Sequence, residues 1–361
     1  MLSAISFIAV LSTLVIVHEF GHFITAKRIG VHVEKFSIGF GPELFGITKG
    51  GTRYLVSLVP LGGYVKLAGE TIEEGIKGET WEYLSRPVGE RSKIIFAGPL
   101  LNYALAFIIF SFVFMIGYPT LTTKVGRVLP DYPGKAAGLR EGDKILQMNN
   151  KDVNYWEDVT AIVHTNKGPE IKLLVDRKGV LLDLTVRPRP QEIKTIFGSK
   201  KNVGLIGIMP TEDVVYVKYG PLRSIYMGAQ RLLNLTYVTY MALWASLTGA
   251  IPFKESVTGP IGIFYITGQA ARLGFVYLLH LMGVLSASLA IFNLLPLPIL
   301  DGGHILFLAI EKIRKKPLSG KLQENITQAG FVLLIGLMAF VFYNDFMRFD
   351  MFGKIIQVFQ R

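Results

Sequence analysis

The sequence predicts a polytopic α-helical membrane protein: four transmembrane helices, a membrane-associated β-hairpin between the first two, and one small extracytoplasmic α/β domain. Three observations carry this prediction. Half of the 361 residues are hydrophobic and only 18% are charged, which is outside the usual balance of a soluble chain of this length. The apolar residues are gathered into runs long enough to cross a bilayer. Between residues 118 and 210 the pattern changes to the short alternating segments and turn residues of a soluble module. The net charge of +11 does not point to nucleic acid, because the basic residues are spread over loops without interleaved aromatics. There is no cysteine, hence no disulfide framework.

The first apolar run, Leu2 to Val17, continues into His18-Glu19-Phe20-Gly21-His22 and ends near Ala26. No basic residue precedes it and no clean small-residue cleavage site follows, so it reads as a span and not as a signal peptide. The second span is Ile94 to Gly117, with Asn102 its only strongly polar side chain. The third runs from about Gly274 to Leu295 and the fourth from about Ala329 to Tyr343. Lys27, Arg28 and Lys35 follow the first span, and Lys312, Arg314, Lys315 and Lys316 precede the last, so both loops are expected on the cytoplasmic side. The N-terminus and residues 118–273 then lie outside. Leu232 to Pro252 is apolar enough to span, yet Arg223, Arg231 and several hydroxyl residues fit an interfacial amphipathic helix equally well. A fifth span would invert everything after it, so the segment is expected along the outer membrane face. The chain thus divides into 1–117 (two spans and the hairpin), 118–210 (the soluble module), 211–273 (an amphipathic or interfacial segment) and 274–361 (two spans).

The strongest chemical signal is H-E-x-x-H at 18–22. Residues four apart share a helix face, so His18 and His22 can present two imidazoles to one ion, with Glu19 beside that face to take a proton from water. Ionisable groups within an apolar span are costly unless they are paired or functional. A catalytic zinc takes three protein ligands and keeps one position open. The third span supplies a candidate in Asp301, because Pro296 and Pro298 must open the backbone at the same depth. With four spans, Asp301 lies on the side of His18 and His22; with five it would not. His304 is the alternative ligand. His280 is read as a core residue, and His32 and His164 have no evident partners.

Arg53 to Ala68 reads as strand, turn, strand: YLVSLV, then PLGG, then YVKLA. The expected hairpin dips beside the active site and offers a free edge to an extended substrate, which places Pro60, Gly62, Gly63 and Tyr64 among the substrate-binding candidates. Gly39 to Gly46 is expected as a tight loop.

Six stretches together carry a family likeness: HEFGH at 18–22, GVHVEKFSIGFGP at 30–42, VPLGGYVKLAGE at 59–70, GPLLN at 98–102, TGPIGI at 258–263 and NLLPLPILDGGH at 293–304. In this order over nearly the whole chain, they resemble the site-2 proteases of regulated intramembrane proteolysis, and most of all the bacterial RseP-like type. The resemblance implies a zinc metalloendopeptidase of the bacterial inner membrane, with Zn2+ on His18, His22 and Asp301 and with Glu19 as base. It implies that Asn293 holds substrate or steadies the oxyanion, and it adds Asn102 to the substrate-binding candidates. The implied substrates are single-span membrane proteins such as anti-sigma factors or signal-peptide remnants, cut in or near the bilayer. The competing class is a membrane-tethered scaffold without activity, for which retention of Glu19 has no use. A transporter would need an internal repeat that is not seen.

The module at 118–210 contains Ala137-Gly138-Leu139 and Gly142-Asp143, followed by the alternating run Lys144 to Asn149. This spacing resembles a PDZ domain, and one such domain fits here where the RseP-like type carries two. Its implied partner is an extended peptide end.

Overall fold

The computed structural model describes residues 1–70, 78–166, 170–194, 200–252, 254 and 257–349. Helix α1 (Leu2–Ile29) is followed by two long antiparallel strands, β1 (Val33–Lys49) and β2 (Thr52–Leu67), and by α2 (Val88–Ile116). The strands turn at Gly50 and Gly51, whose φ values of 59° and 78° suit the two left-handed positions of a tight hairpin turn. Residues 35–38 pair on one side with 53–56 and on the other with 63–66, while 45–49 pair with 52–56. The expected hairpin is therefore corrected: YLVSLV and YVKLA do not pair with each other but flank the same segment of β1. PLGG falls where β2 reverses direction between these two strips, and a second turn lies at 50–51. Between Ile38 and Phe45 the chain reverses around residues 57–59, as the expected loop at Gly39 to Gly46 requires, with Gly39 and Gly41 at φ 94° and 90° and Glu43 Oε1 and Oε2 accepting from Arg53 at 2.7 and 3.0 Å. Ala26, Val31, Val33, Leu67, Tyr83 and Ile94 form the core that joins the sheet to α1 and α2. The strips farther from that core expose Leu44, Phe45, Ile47 and Leu58.

The chain divides into two units, Met1–Val113 with Leu222–Tyr240 and Lys254–Arg361, and Phe114–Pro221 with Met241–Phe253. The second unit holds β3 (Tyr118–Leu121), β4 (Val125–Val128), α3 (Pro133–Ala136), β5 (Lys144–Met148), β6 (Lys151–Asp152) and α4 (Trp156–Thr165). It continues with β7 (Ile171–Arg177), β8 (Val180–Val186), β9 (Arg189–Lys194), β10 (Lys200–Leu205), β11 (Ile208–Pro210) and β12 (Val214–Val217). The main sheet has the order β6-β5-β7-β8, and its inward-facing residues Ile145, Met148, Ile171, Leu173 and Val175 pack with Val159 and Val163 of α4. Because β12 pairs with β3, the module runs past residue 210.

Asp143 is buried in this module, with Arg177 Nε 2.7 Å from its Oδ1 and Nη2 2.8 Å from its Oδ2, and it also accepts the Arg140 N–H. Burial alone would raise its pKa. The Arg177 and Arg140 bonds outweigh burial and hold the carboxyl below its ordinary range. A depressed folded-state pKa contributes stability above the unfolded-state value, and that contribution is lost as pH falls through the folded-state value. Asp143→Asn is expected to cost about 2 kcal/mol at neutral pH. Amide hydrogen exchange in β5 and β7 should show the loss, and its difference from the parent should shrink towards acid pH.

The first unit also contains α5 (Pro221–Leu247), α6 (Pro260–Leu273), α7 (Phe275–Asn293), α8 (Asp301–Arg314) and α9 (Gly320–Arg348), although α5 ends outside it. Helices α1, α2, α7 and α9 are long and apolar enough to cross a membrane, the four expected from the sequence. Along α5, Gly228 packs on Ser111, Leu232 on Ala106 and Phe110, and Thr236 Oγ1 lies 2.9 Å from Tyr103 Oη. Rising numbers on α5 meet falling numbers on α2, so the two are antiparallel over about two turns. Residues 228–236 therefore pack against a neighbouring helix, and the Thr236 hydroxyl takes part in that packing. Helix α6 meets α1 in the same reversed sense, Phe264 on Phe7 and Gly268 on Ser3. The start of α6 is held from α9, where the buried Asp345 accepts N–H groups of Gly259 (3.1 Å) and Gly262 (2.8 Å).

Candidate metal centre

His18 and His22 lie one turn apart on α1, facing α2. The two helices approach backbone to backbone, since a Cβ on Gly21 would lie 2.7 Å from the Ala97 carbonyl carbon. Gly98 forms the floor under the imidazoles: a Cβ there would fall 2.5 Å from His22 Cε1 and 2.9 Å from His18 Cε1. From the other side comes Asp301, the first residue of α8. Residues 294–300 form turns in place of helix, with Leu297 N–H on Leu295 O and Leu300 N–H on Leu297 O, as two closely spaced prolines require.

The two Nε2 atoms are 3.2 Å apart, and Asp301 approaches them with Oδ2 3.1 Å from His18 and Oδ1 3.7 Å from His22. Bond lengths of about 2.0–2.1 Å to a tetrahedral zinc imply donor separations of roughly 3.3 Å. The donor set fits. A further sign is Asp301 Oδ2, which is buried with no N–H or O–H among the described residues donating to it. Such an atom wants a cation. His22 Nδ1 is held by the Ile94 carbonyl at 2.9 Å, and His18 Nδ1 faces the Asn102 amide at 3.4 Å. Asn293, the last residue of α7, brings Nδ2 to 3.4 Å from His18 Nε2.

His18, His22, Asn293 and Asp301 line a cavity of about 450 Å3 together with Glu19, His304, Val65 and Leu67. Glu19 stands beside the three donors and accepts the Val65 N–H. His304 lines the cavity without joining the donor cluster. His280 packs against Phe110 with ring centroids 5.6 Å apart, and His32 against Trp81 at 6.1 Å.

Asn102 is fully buried, with its amide 3.4 Å from Nδ1 of His18. In β2 the side chains of Val65 and Leu67 line the cavity, and Gly63, at the start of the same strip, lies close to Glu19. Pro60 O accepts from Ser12 Oγ at 2.5 Å, Gly62 and Gly63 are buried, and the Tyr64 ring stacks on Phe40. Strand alternation alone would have selected Val65 and Leu67. For Gly98 the sequence signals are its place before Pro99 within a span and at the head of the GPLLN stretch.

The model of peptidase family M50 matches residues 6–337. A Brucella suis protein bearing the name zinc metalloprotease is 35% identical over 94% of this chain and 94% of its own length. The regulator of sigma-E protease RseP of Escherichia coli is 31% identical over 95% of this chain and 98% of its own, and the zinc metalloprotease RasP of Oceanobacillus iheyensis 30% over 96% and 99%. The PDZ domain of the SdrC-like protein of Listeria innocua matches 26% of this chain and 96% of that domain at 21% identity, with a TM-score of 0.21, too low to carry a fold assignment. The family match over most of the chain, coinciding with a donor set suited to zinc, means that the chain belongs to peptidase family M50 and is a zinc metalloendopeptidase.

Proposed function

We propose that the protein hydrolyses peptide bonds in or beside the transmembrane segments of single-span membrane proteins. His18, His22 and Asp301 hold the zinc and Glu19 is the base. One observation carries this reading: three donors at tetrahedral spacing sit on apolar helices, in the same cavity as an outer strand strip. Zinc bound there supplies Lewis acidity and lowers the pKa of water towards neutrality. Glu19 takes the proton of the attacking water and later passes it to the leaving amine. Asn293 donates its amide N–H to the carbonyl oxygen as that oxygen gains charge. Asn102 fixes the ring of His18: an amide turned with Oδ1 towards Nδ1 accepts that N–H and leaves Nε2 free as a ligand.

The strip 63–67 adds the substrate as a further strand. A transmembrane helix hides its peptide bonds, so the target must be drawn out before attack, and edge pairing supplies the extended geometry. The exposed Leu44, Phe45, Ile47 and Leu58 suit insertion of the sheet's far strips into lipid. The basic loops after α1 and before α9 support an active site towards the cytoplasmic side, with the module at 114–221 outside as a PDZ-like reader of peptide ends.

The test uses detergent-purified protein, a single-span substrate and a metal determination. Cutting should stop with a chelator and return with zinc. Asp301→Ala should lower zinc affinity by about tenfold or more. Undiminished zinc in that variant would shift the third ligand to His304.

A further inference from the structure

We propose that the buried ion pair between Arg91 and Glu311 is a positioning clamp for the metal centre, fixing the helix that carries Asp301 to the helix that backs the two imidazoles. This rests on Asp301 being a ligand. Asp301, His304, Leu308 and Glu311 all line the cavity, and their spacing puts them on one face of α8 over three turns. Gly302 and Gly303 seat the start of α8 against the backbone of Leu294, Leu295 and Leu297, and Glu311 fixes its far end. Helix α8 is only 14 residues long, is preceded by the turns at 294–300 and ends at Lys315 with φ 56°. A small rotation about its axis would swing Asp301 away from the histidines.

On the other side, Arg91 is in the first turn of α2, seven residues before Gly98, so both share one stripe of the helix. Its Nη2 donates to Glu311 Oε1, and its Nε donates to the Arg86 carbonyl at 3.0 Å, which sets the plane of the guanidinium. The two side chains are only 9% and 17% exposed. A pair this buried adds little net stability compared with apolar packing, because desolvation offsets the attraction. What the ion pair supplies is direction: a planar fork aligned by its own carbonyl contact accepts a carboxylate in few orientations. Glu70 and Tyr83 line the same part of the cavity, so the clamp faces a polar surrounding.

The experiment measures zinc affinity by chelator competition on the full-length protein in detergent, alongside kcat, KM and melting temperature. Arg91→Ala and Glu311→Gln should each weaken zinc binding by about tenfold or more, in the range seen when the groups that orient ligands are removed. KM should change little. The exchanged pair, Arg91→Glu with Glu311→Arg, should recover most of the affinity, and Arg91→Lys should recover part. A general loss of fold would lower the melting temperature without this rescue. Unchanged zinc affinity in both single variants overturns the clamp, as does an exchanged pair no better than the weaker single variant. If Arg91→Ala does not fold, Glu311→Gln and the exchanged pair decide the matter. Failure of the ligand assignment is recognised separately, by Asp301→Ala keeping its zinc.

Discussion

Glu19→Gln is expected to lower kcat by about a thousandfold or more, while zinc content and substrate affinity stay near those of the parent. The reason is the placement of Glu19. It lies on the turn that separates His18 from His22, faces the same cavity and is not one of the three clustered donors. Its carboxyl is anchored by the Val65 N–H, so a glutamine can occupy the same place and keep the neighbouring geometry. What the amide cannot do is accept and return a proton. Single-turnover cleavage of a single-span substrate, with metal measured on the same sample, checks this. Turnover near that of the parent removes Glu19 from the proposed role.

Gly98→Ala is expected to be nearly as severe although it adds one methyl group. That methyl would enter the shell of both imidazoles, 2.5 Å from His22 Cε1 and 2.9 Å from His18 Cε1. The rings cannot retreat without losing the Ile94 carbonyl at His22 and the Asn102 amide at His18. The helices cannot separate freely either, because Gly21 already rests on the Ala97 carbonyl. Zinc stoichiometry should fall well below one and cleavage should become undetectable. Leu100→Ala, two residues away on an exposed position, should leave both unchanged. A Gly98→Ala variant with full zinc occupancy would refute the arrangement of α1 against α2.

Much of the site was legible in the sequence because its parts obey local rules. His18 and His22 are four apart on an apolar run, and Pro296 and Pro298 announce an opened backbone just before Asp301. Counting spans then brought the two segments to one depth. The parts that were not legible depend on tertiary neighbours. The alternation in 54–59 and 64–68 marks strands but says nothing of which strips pair, so both were assigned to one hairpin when they flank residues 35–38. The composition of 232–252 suits lipid headgroups and a neighbouring helix equally well, and the pairing of Thr236 with Tyr103 is a tertiary contact that it does not announce. Arg91 and Glu311, 220 positions apart, share no local pattern that would join them.

The reversed contacts of α5 and α6 bear on how the chain is threaded. α5 descends beside a helix that ascends, and α6 ascends beside one that descends. Together they make a round trip, and the chain re-emerges on the face it left. Whatever the depth of that detour, its two arms cancel, and α7 brings Asp301 to the end of α1 that holds His18 and His22.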